Sequence, residues 1–244
     1  MKRRAFLGVL GGAVACPMVA RAQSKGSPVA GAVKRDEHAS KLQSLLQKAQ
    51  QLGAPVTAIQ RAAAISRQPT FVKKDAIAVF DIFQPSGNKR LYVLDFHSGQ
   101  VSTHFAAHGR ANGPNARATK FKGFQRDLDM VPLGPLKITS PEVMEHYSTI
   151  VDRYDGTVYR NMTVSVLEGV TPYNSYINHT PPYKWIVHPS WYTTAGFRAK
   201  NKGMLGRSNG CITLDPVDNN KLIKRLEGAL IYVTVGDAPI EQYL

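Results

Sequence analysis

The sequence predicts a mainly β fold, a barrel or sandwich with a helical segment in front of it and a short helix near its end. From residue 75 onward, short runs of branched and aromatic residues alternate with turns rich in Gly, Pro, Asn and Ser. Helical spacing of apolar residues is confined to two places, residues 36–65 and the run after Asp215. With 43% hydrophobic residues in 244, the chain can bury one sizeable core.

Residues 1–22 have the features of a signal peptide, with a basic start, a short apolar stretch and the cleavage motif Ala20-Arg21-Ala22. Arg3 and Arg4 indicate the twin-arginine type, with the general secretory route as the alternative. A lipoprotein signal through Cys16 is disfavoured because Ala13 stands where Leu is preferred. We therefore expect an exported, periplasmic protein.

Residues 23–35 are rich in small residues and lack periodicity, which predicts a linker. Residues 36–74 form a predicted helical preface, with one helix that ends near Gly53 and a second that follows it. A segment of this size cannot fold alone, so we expect it to pack on the residues that follow.

Residues 75–244 form the predicted β domain. The runs "AIAVFDIF", "RLYVLDF" and "QVSTHFAAHG" predict an antiparallel meander, and "LKIT", "TVSVLEG", "KWIVH" and "ALIYVTV" predict further strands. In "RLYVLDF" apolar residues occupy both alternating sets of positions, which indicates that both faces of this strand are at least partly covered. Asp215 followed by Pro216 is typical of a helix start, which predicts a short helix there.

The chain is strongly basic, with a formal net charge of +14. Removal of the leader leaves a charge of about +10, which favours peripheral contact with anionic cell-wall surfaces. The basic residues are dispersed and form no recognisable nucleic-acid module, so we expect no nucleic-acid partner. No apolar run beyond the leader has the length of a transmembrane helix.

Cys211, in "GRSNGCITLDP", is the one cysteine that remains if cleavage removes Cys16. An unpaired thiol in an oxidising compartment is a buried packing residue, an intermolecular bridge or a reactive group. Gly206 and Gly210 bracket a turn that can present consecutive N–H groups to an oxyanion, and those of Gly210 and Cys211 are the candidates.

A reactive thiol needs a histidine that moves its proton. His188 ends the apolar run "KWIV", as a residue at the rim of a barrel strand would, and is the first candidate. His108 and His179 are the reserve candidates.

Taken together, "IVH" and the later "GRSNGC" resemble the catalytic domain of the L,D-transpeptidase family, whose signature is a strand-end histidine and a later Ser-x-Gly-Cys. The segments "GNKRLYVLDFHSGQ", "AHG", "ATKF" and "LGPLKIT" are similar to its murein L,D-transpeptidase branch. The resemblance implies an L,D-transpeptidase-like β barrel or sandwich, with residues 75–244 as the catalytic domain.

The resemblance also implies roles for individual residues. Cys211 would be the nucleophile and His188 the general base and acid, while Ser208, Asn209 and Gly210 would shape the loop that holds the thiol. The thiolate would attack the L,D bond of a peptidoglycan stem peptide, form a thioester and pass the acyl group to an amine. The implied chemistry uses no metal or other cofactor, and carbapenems would acylate the same thiol.

Three residues near Cys211 and His188 have two interpretations each. Arg207 either binds a stem-peptide carboxylate or is a solvated loop residue. Trp191 and Tyr192, just after His188, either form a wall of the substrate site or pack in the domain.

The sequence departs from the commonest family pattern at three positions. Asn209 stands where His is common, Pro189 where Gly is frequent, and Thr213 where Arg or Asn often follows the nucleophile by two residues. Two other functions stay open: a carboxypeptidase or endopeptidase with water as acceptor, and a non-catalytic peptidoglycan-binding relative.

Overall fold

The computed structural model describes residues 30–121, 129–179 and 184–243, so the predicted signal peptide and residues 23–29 lie outside the described residues. Helix α1 spans Ala30–Gln51. Residues 30–35 are therefore helical, and their prediction as linker was wrong. The small residues there suggested a flexible segment, but Ala, Lys and Arg are also strong helix formers.

Helix α2 spans Val56–Ile65 and packs with α1 against one side of the sheet. Both helices bury apolar residues at helical spacing, namely Leu45, Leu46, Ala49, Ala58, Ile59, Ala62 and Ala63. Most of these side chains are small, so the helix backbones can approach the strands closely. The two helices thus share a hydrophobic core with the β domain.

The strands confirm the predicted mainly β fold. They are β1 (Ala76–Asp81), β2 (Leu91–Asp95), β3 (Gln100–His104), β4 (Ala106–Ala107), β5 (Gly134–Ile138), β6 (Thr149–Val151), β7 (Val158–Arg160), β8 (Ser165–Gly169), β9 (Ile186–Pro189), β10 (Ile212–Leu214) and β11 (Leu230–Thr234). Within the described residues, β6 and β7 form a separate hairpin and the other nine strands form one sheet.

The nine-stranded sheet has the order β3-β2-β1-β11-β5-β8-β9-β10-β4. Its two outer strands, β3 and β4, are consecutive along the chain and separated only by Phe105, so the sheet nearly closes into a barrel. The pairs β1–β11 and β9–β10 are parallel, and the remaining pairs of the sheet are antiparallel.

The sheet is covered on both faces near β2, as its sequence predicted. Leu91 and Val93 lie in the core that contains side chains of the helix after Asp215. Tyr92 and Leu94 lie in the core formed with α1 and α2. The period-two alternation of the strand therefore divides its apolar residues between two cores.

Two further helices lie on either side of Cys211. Helix α3 (Ala195–Lys200) was not predicted, and helix α4 (Pro216–Leu226) begins where the Asp215-Pro216 pair predicted it. The carboxylate of Asp215 accepts a hydrogen bond from the backbone N–H of Val217, which caps the helix. Within the described part of the chain, no helix has the length and hydrophobicity needed to cross a membrane.

Candidate active site

The parallel pairing of β9 and β10 positions the two residues with the strongest sequence signal. Thr213 lies opposite His188 and Ile212 lies opposite Val187, so Cys211 directly precedes the strand that pairs with β9. Cys211 is a free cysteine and is partly exposed. A thiolate at Cys211 would contribute to raising the pKa values of the nearby Tyr147 and Tyr192.

His188 is buried, with 4% of its surface exposed. Its Nδ1 lies 2.9 Å from the carbonyl oxygen of Pro189, and its Nε2 lies 3.1 Å from the hydroxyl oxygen of Thr213. Burial lowers the pKa of His188 to about 4, the hydrogen bond to Pro189 opposes this shift, and the nearby His146 adds to it. The imidazole is therefore neutral at pH 7.

Burial raises the pKa of the Cys211 thiol to about 11, and a backbone hydrogen bond with Ile186 opposes this shift. At neutral pH the resting site therefore holds a thiol and a neutral imidazole rather than a thiolate and an imidazolium. Chemistry at such a thiol requires a base that removes its proton during the attack. The unprotonated nitrogen of a neutral histidine can do so.

The backbone N–H and carbonyl groups of Ser208 both form hydrogen bonds that hold the loop before Cys211 in place. Its N–H donates to the carbonyl oxygen of His108 at 2.9 Å, and its carbonyl oxygen accepts from the N–H of Arg110 at 2.8 Å. Its hydroxyl donates to the carbonyl oxygen of Cys211 at 2.6 Å. Ser208 thus ties the Cys211 loop to the segment after β4.

Gly210 lies directly before the thiol in a left-handed conformation, with φ at 92°. Glycine adopts such a φ at low cost, which explains the residue type at this turn. Gly210 is buried and its neighbour Asn209 is exposed, so the loop turns one side chain into solvent just before Cys211.

Arg207 and Trp191 are two of the three residues for which the sequence allowed two interpretations. The exposed Arg207 donates from Nη1 to the carbonyl oxygen of Gly113 at 2.9 Å, which connects it to the neighbouring loop. The ring of Trp191 lies 3.8 Å from the Arg153 guanidinium and packs edge-on against Phe197. The Arg207 contact is a hydrogen bond between two loops and the Trp191 contacts are packing contacts, and a role of either residue in substrate binding stays a prediction.

Tyr192 lies closer to the histidine than the other two residues. Its hydroxyl is 3.0 Å from the hydroxyl oxygen of Thr213, which in turn contacts His188. Burial raises the pKa of Tyr192, so its phenol stays protonated.

The reserve histidines lie elsewhere. His108 is fully buried, with Nδ1 2.7 Å from Nη2 of Arg90 and Nε2 3.2 Å from the carbonyl oxygen of Pro114. Burial, together with the Arg90 charge, lowers the pKa of His108 to about 3. His179 is exposed in a short 3-10 turn, Ser175–His179. His108 directly follows β4, which pairs with the other side of β10, but both of its ring nitrogens are engaged by Arg90 and Pro114. Nε2 of His188 instead faces Thr213 of β10.

Sequence reasoning missed Tyr147. Its ring centroid lies 4.4 Å from that of His188, with an angle of 40° between the rings, and the ring of His146 lies 4.0 Å from Tyr147. Burial raises the pKa of Tyr147, and a thiolate at Cys211 would raise it further. Tyr147 comes from an irregular polar segment, so no sequence signal pointed to it. Among the described residues, no group of three His, Cys, Asp or Glu residues could hold a metal ion.

Comparison with protein families gives a match to part of the chain. The family described as the L,D-transpeptidase catalytic domain matches residues 48–139. This L,D-transpeptidase match includes α2 and the strands from β1 to β5, and it ends before His188 and Cys211. No curated protein sequence matched the chain.

Several solved structures are similar to this chain at low identity. LdtMt1, an L,D-transpeptidase in complex with imipenem, is 20% identical, with a TM-score of 0.34 over 66% of this chain and 59% of that one. Bd1075 of Bdellovibrio bacteriovorus is 13% identical, with a TM-score of 0.37 over 70% and 50%. An L,D-transpeptidase from Mycobacterium smegmatis is 20% identical, with a TM-score of 0.33 over 66% and 58%. The chain thus spans between half and three fifths of these three proteins.

Proposed function

We propose that this protein is a peptidoglycan-modifying cysteine L,D-transpeptidase. The observation that carries the proposal is the β9–β10 register, which sets a buried neutral His188 beside the strand that Cys211 precedes. The family match over residues 48–139 and the Ser208-Asn209-Gly210-Cys211 loop support the same assignment. The proposed catalytic domain is residues 75–244, with residues 36–74 as its helical preface.

In the proposed first half-reaction, the sulfur of Cys211 attacks the carbonyl carbon of an L-residue that precedes a D-residue in a stem peptide. His188 takes the thiol proton at Nε2 as the carbon–sulfur bond forms. The N–H groups of Gly210 and Cys211 stabilise the oxyanion of the tetrahedral intermediate. The carbon–nitrogen bond then breaks, and the departing amine of the D-residue receives the proton from His188.

In the second half-reaction, an amine of a neighbouring stem peptide attacks the thioester carbon. His188 accepts a proton from this amine and returns it to the departing sulfur, so the enzyme is restored. His188 carries the proton in each of these transfers. The basic surface would favour contact with the anionic cell wall, and the predicted leader supports a periplasmic location for this reaction.

Incubation of the mature protein with a disaccharide tetrapeptide tests the proposal, with products followed by mass spectrometry. Cross-linked dimer, or exchange of the terminal D-residue for an added D-amino acid, would support transfer. Tripeptide as the sole product would instead support hydrolysis. An unmodified substrate, in the presence of a folded protein, would contradict both reactions and favour a non-catalytic binding role.

A further inference from the structure

We propose that Thr213 and Tyr192 are positioning residues: their hydrogen-bond chain fixes the neutral imidazole of His188 at rest, and the Thr213 hydroxyl turns away from Nε2 when this nitrogen takes the Cys211 proton. This inference rests on the proposed function. Neither residue would touch the reacting atoms, since both act through the imidazole.

The direction of the hydrogen bonds follows from the Pro189 carbonyl group, which lies at one end of the hydrogen-bond chain. The carbonyl oxygen of Pro189 can only accept, so the His188 Nδ1 at 2.9 Å must carry the proton. A neutral imidazole has one N–H group, so Nε2 is an acceptor. The Thr213 hydroxyl, 3.1 Å away, therefore donates to Nε2. Its own oxygen is then an acceptor for the Tyr192 hydroxyl at 3.0 Å.

The fold holds each member of the chain in place. Thr213 is fully buried in the middle of β10, and it pairs with His188 across the parallel strands. The turn that carries Tyr192 is fastened to the same strand by Thr193, whose hydroxyl donates to the carbonyl oxygen of Leu214 at 2.7 Å. Gly206 donates its N–H to the carbonyl oxygen of Tyr192 at 2.9 Å.

Close packing at Gly206 also restricts Tyr192. A Cβ atom at Gly206 would lie 2.6 Å from Cβ of Tyr192, a distance that real side chains do not adopt. The backbone of residue 206 therefore lies directly against the tyrosine, which limits its movement away from Thr213.

A hydroxyl at position 213 suits both protonation states of His188. While Nε2 is unprotonated, the hydroxyl donates to it. After His188 has taken the thiol proton, Nε2–H becomes a donor, and rotation of the Thr213 hydroxyl lets its oxygen accept. The proton itself moves only from Cys211 to Nε2 and then to the leaving amine. Thr213 keeps its own proton throughout, and Tyr192 stays in contact with it.

Two measurements on full-length mature protein test this chain. Long-range ¹H–¹⁵N correlation spectra report which nitrogen of His188 carries the proton, independently of any substrate. The rate of Cys211 acylation by a carbapenem, measured by intact mass against pH, reports the reactivity of the site. The variants are Thr213→Val, Thr213→Ser and Tyr192→Phe, with Thr234→Val as the control for loss of a buried hydroxyl away from the site.

We expect the native protein and Thr213→Ser to hold the proton on Nδ1. Thr213→Val should keep the proton on Nδ1, because the Pro189 carbonyl remains, but its Nε2 resonance should shift toward that of a nitrogen without a hydrogen-bond donor. Its acylation should be slower by about 3- to 10-fold, the effect of one lost hydrogen bond. Tyr192→Phe should show a smaller loss in the same direction. Thr234→Val should match the native protein in both measurements, and melting temperatures should identify any variant that is unfolded.

An unchanged Nε2 resonance and an unchanged acylation rate in a folded Thr213→Val would overturn the inference. A Thr213→Ser variant that differs from the native protein in both measurements would also overturn it. These results would leave the proposed function intact if the native protein still forms its product. Conversely, a native protein that makes no product and no carbapenem adduct would contradict the proposed function. The ¹H–¹⁵N spectra of His188 would still decide on the hydrogen-bond chain.

Discussion

His188 donates its Nδ1 proton to the carbonyl oxygen of Pro189, the next residue along β9, over 2.9 Å. The acceptor is a backbone atom, so side-chain substitution at position 189 leaves it in place. This bond assigns Nε2 as the basic nitrogen, and burial keeps the ring neutral. In the proposed mechanism, this contact prepares His188 to take a proton from a thiol that is itself neutral at rest.

Replacement of His188 by Gln removes the base while keeping a polar side chain of similar size. Because the Cys211 thiol has a pKa of about 11, little thiolate forms without a base at pH 7. We expect product formation and carbapenem acylation to fall by about 10²- to 10⁴-fold. The exposed His97→Gln is the matched control and should keep native rates. Native-like rates in a folded His188→Gln would exclude His188 as the base.

Gly210→Ala tests the turn that presents the thiol. Its φ of 92° strains any residue with a Cβ, so we expect a loss of about 1–2 kcal/mol in stability together with slower acylation of Cys211. Gly156→Ala is the matched control, because Gly156 has a φ of 75°, open space at Cβ and a place in the β6–β7 hairpin turn. It should lose stability but keep its acylation rate. Equal acylation rates in both variants would argue against a role for the turn.

The ion pair between Arg198 and Asp215 joins α3 to the start of α4 at 2.6 Å, with both side chains largely buried. Asp215→Asn leaves the Arg198 guanidinium without its counter-charge, and we expect a loss of about 3 kcal/mol in unfolding free energy. Guanidinium denaturation measures this loss. Lys41→Ala, at the exposed Lys41–Glu37 pair on α1, should change stability by less than about 0.5 kcal/mol.

A double variant separates the ion pair from the other roles of Asp215. If the charge left behind causes the loss, Arg198→Met combined with Asp215→Asn should recover part of the stability. Strictly additive losses would show that the pair is not coupled.

The two buried histidines predict that the protein loses stability in mild acid. The folded-state pKa is about 4 for His188 and about 3 for His108, against 6.5 for the unperturbed side chain. Between about pH 6.5 and pH 5, the two histidines bind protons in the unfolded chain but not in the native state. The free energy of unfolding therefore rises with pH and falls on acidification. The expected slope is up to about 1.4 kcal/mol per pH unit for each histidine.

Urea denaturation at several pH values measures this slope. His108→Gln should reduce it, because the variant removes one titrating group. Stability that stays flat or rises as the pH falls from about 6.5 to about 5 would contradict the buried neutral state of both histidines.

The sequence predicted most of the strands because their signals are local. Runs such as residues 76–81 and 230–234 combine branched residues with turn residues on either side, and the helix start at Asp215 is set by adjacent residues. The short strands β6, β7 and β10, with three residues each, were not predicted as strands. Runs of this length carry too little periodicity to be distinguished from loops.

The relations between distant segments could not be predicted in the same way. His188 was a candidate because it ends an apolar run, but its pairing with Thr213 depends on the register between strands that are far apart in sequence. In the sequence, Thr213 was notable only because it departs from the family pattern, and nothing indicated its contact with His188. The Tyr147 ring packs at a tilt against His188 from a short 3-10 turn, Glu145–Tyr147, and only the tertiary fold brings the two rings together.

The central claim, that Cys211 is the nucleophile of peptidoglycan acyl transfer, is tested most directly by following disaccharide tetrapeptide by mass spectrometry with the native protein and with Cys211→Ala. If Cys211 is the nucleophile, the native protein forms cross-linked dimer or exchanges the D-amino acid, and the folded variant forms no product. Product formation by Cys211→Ala at the native rate would contradict it.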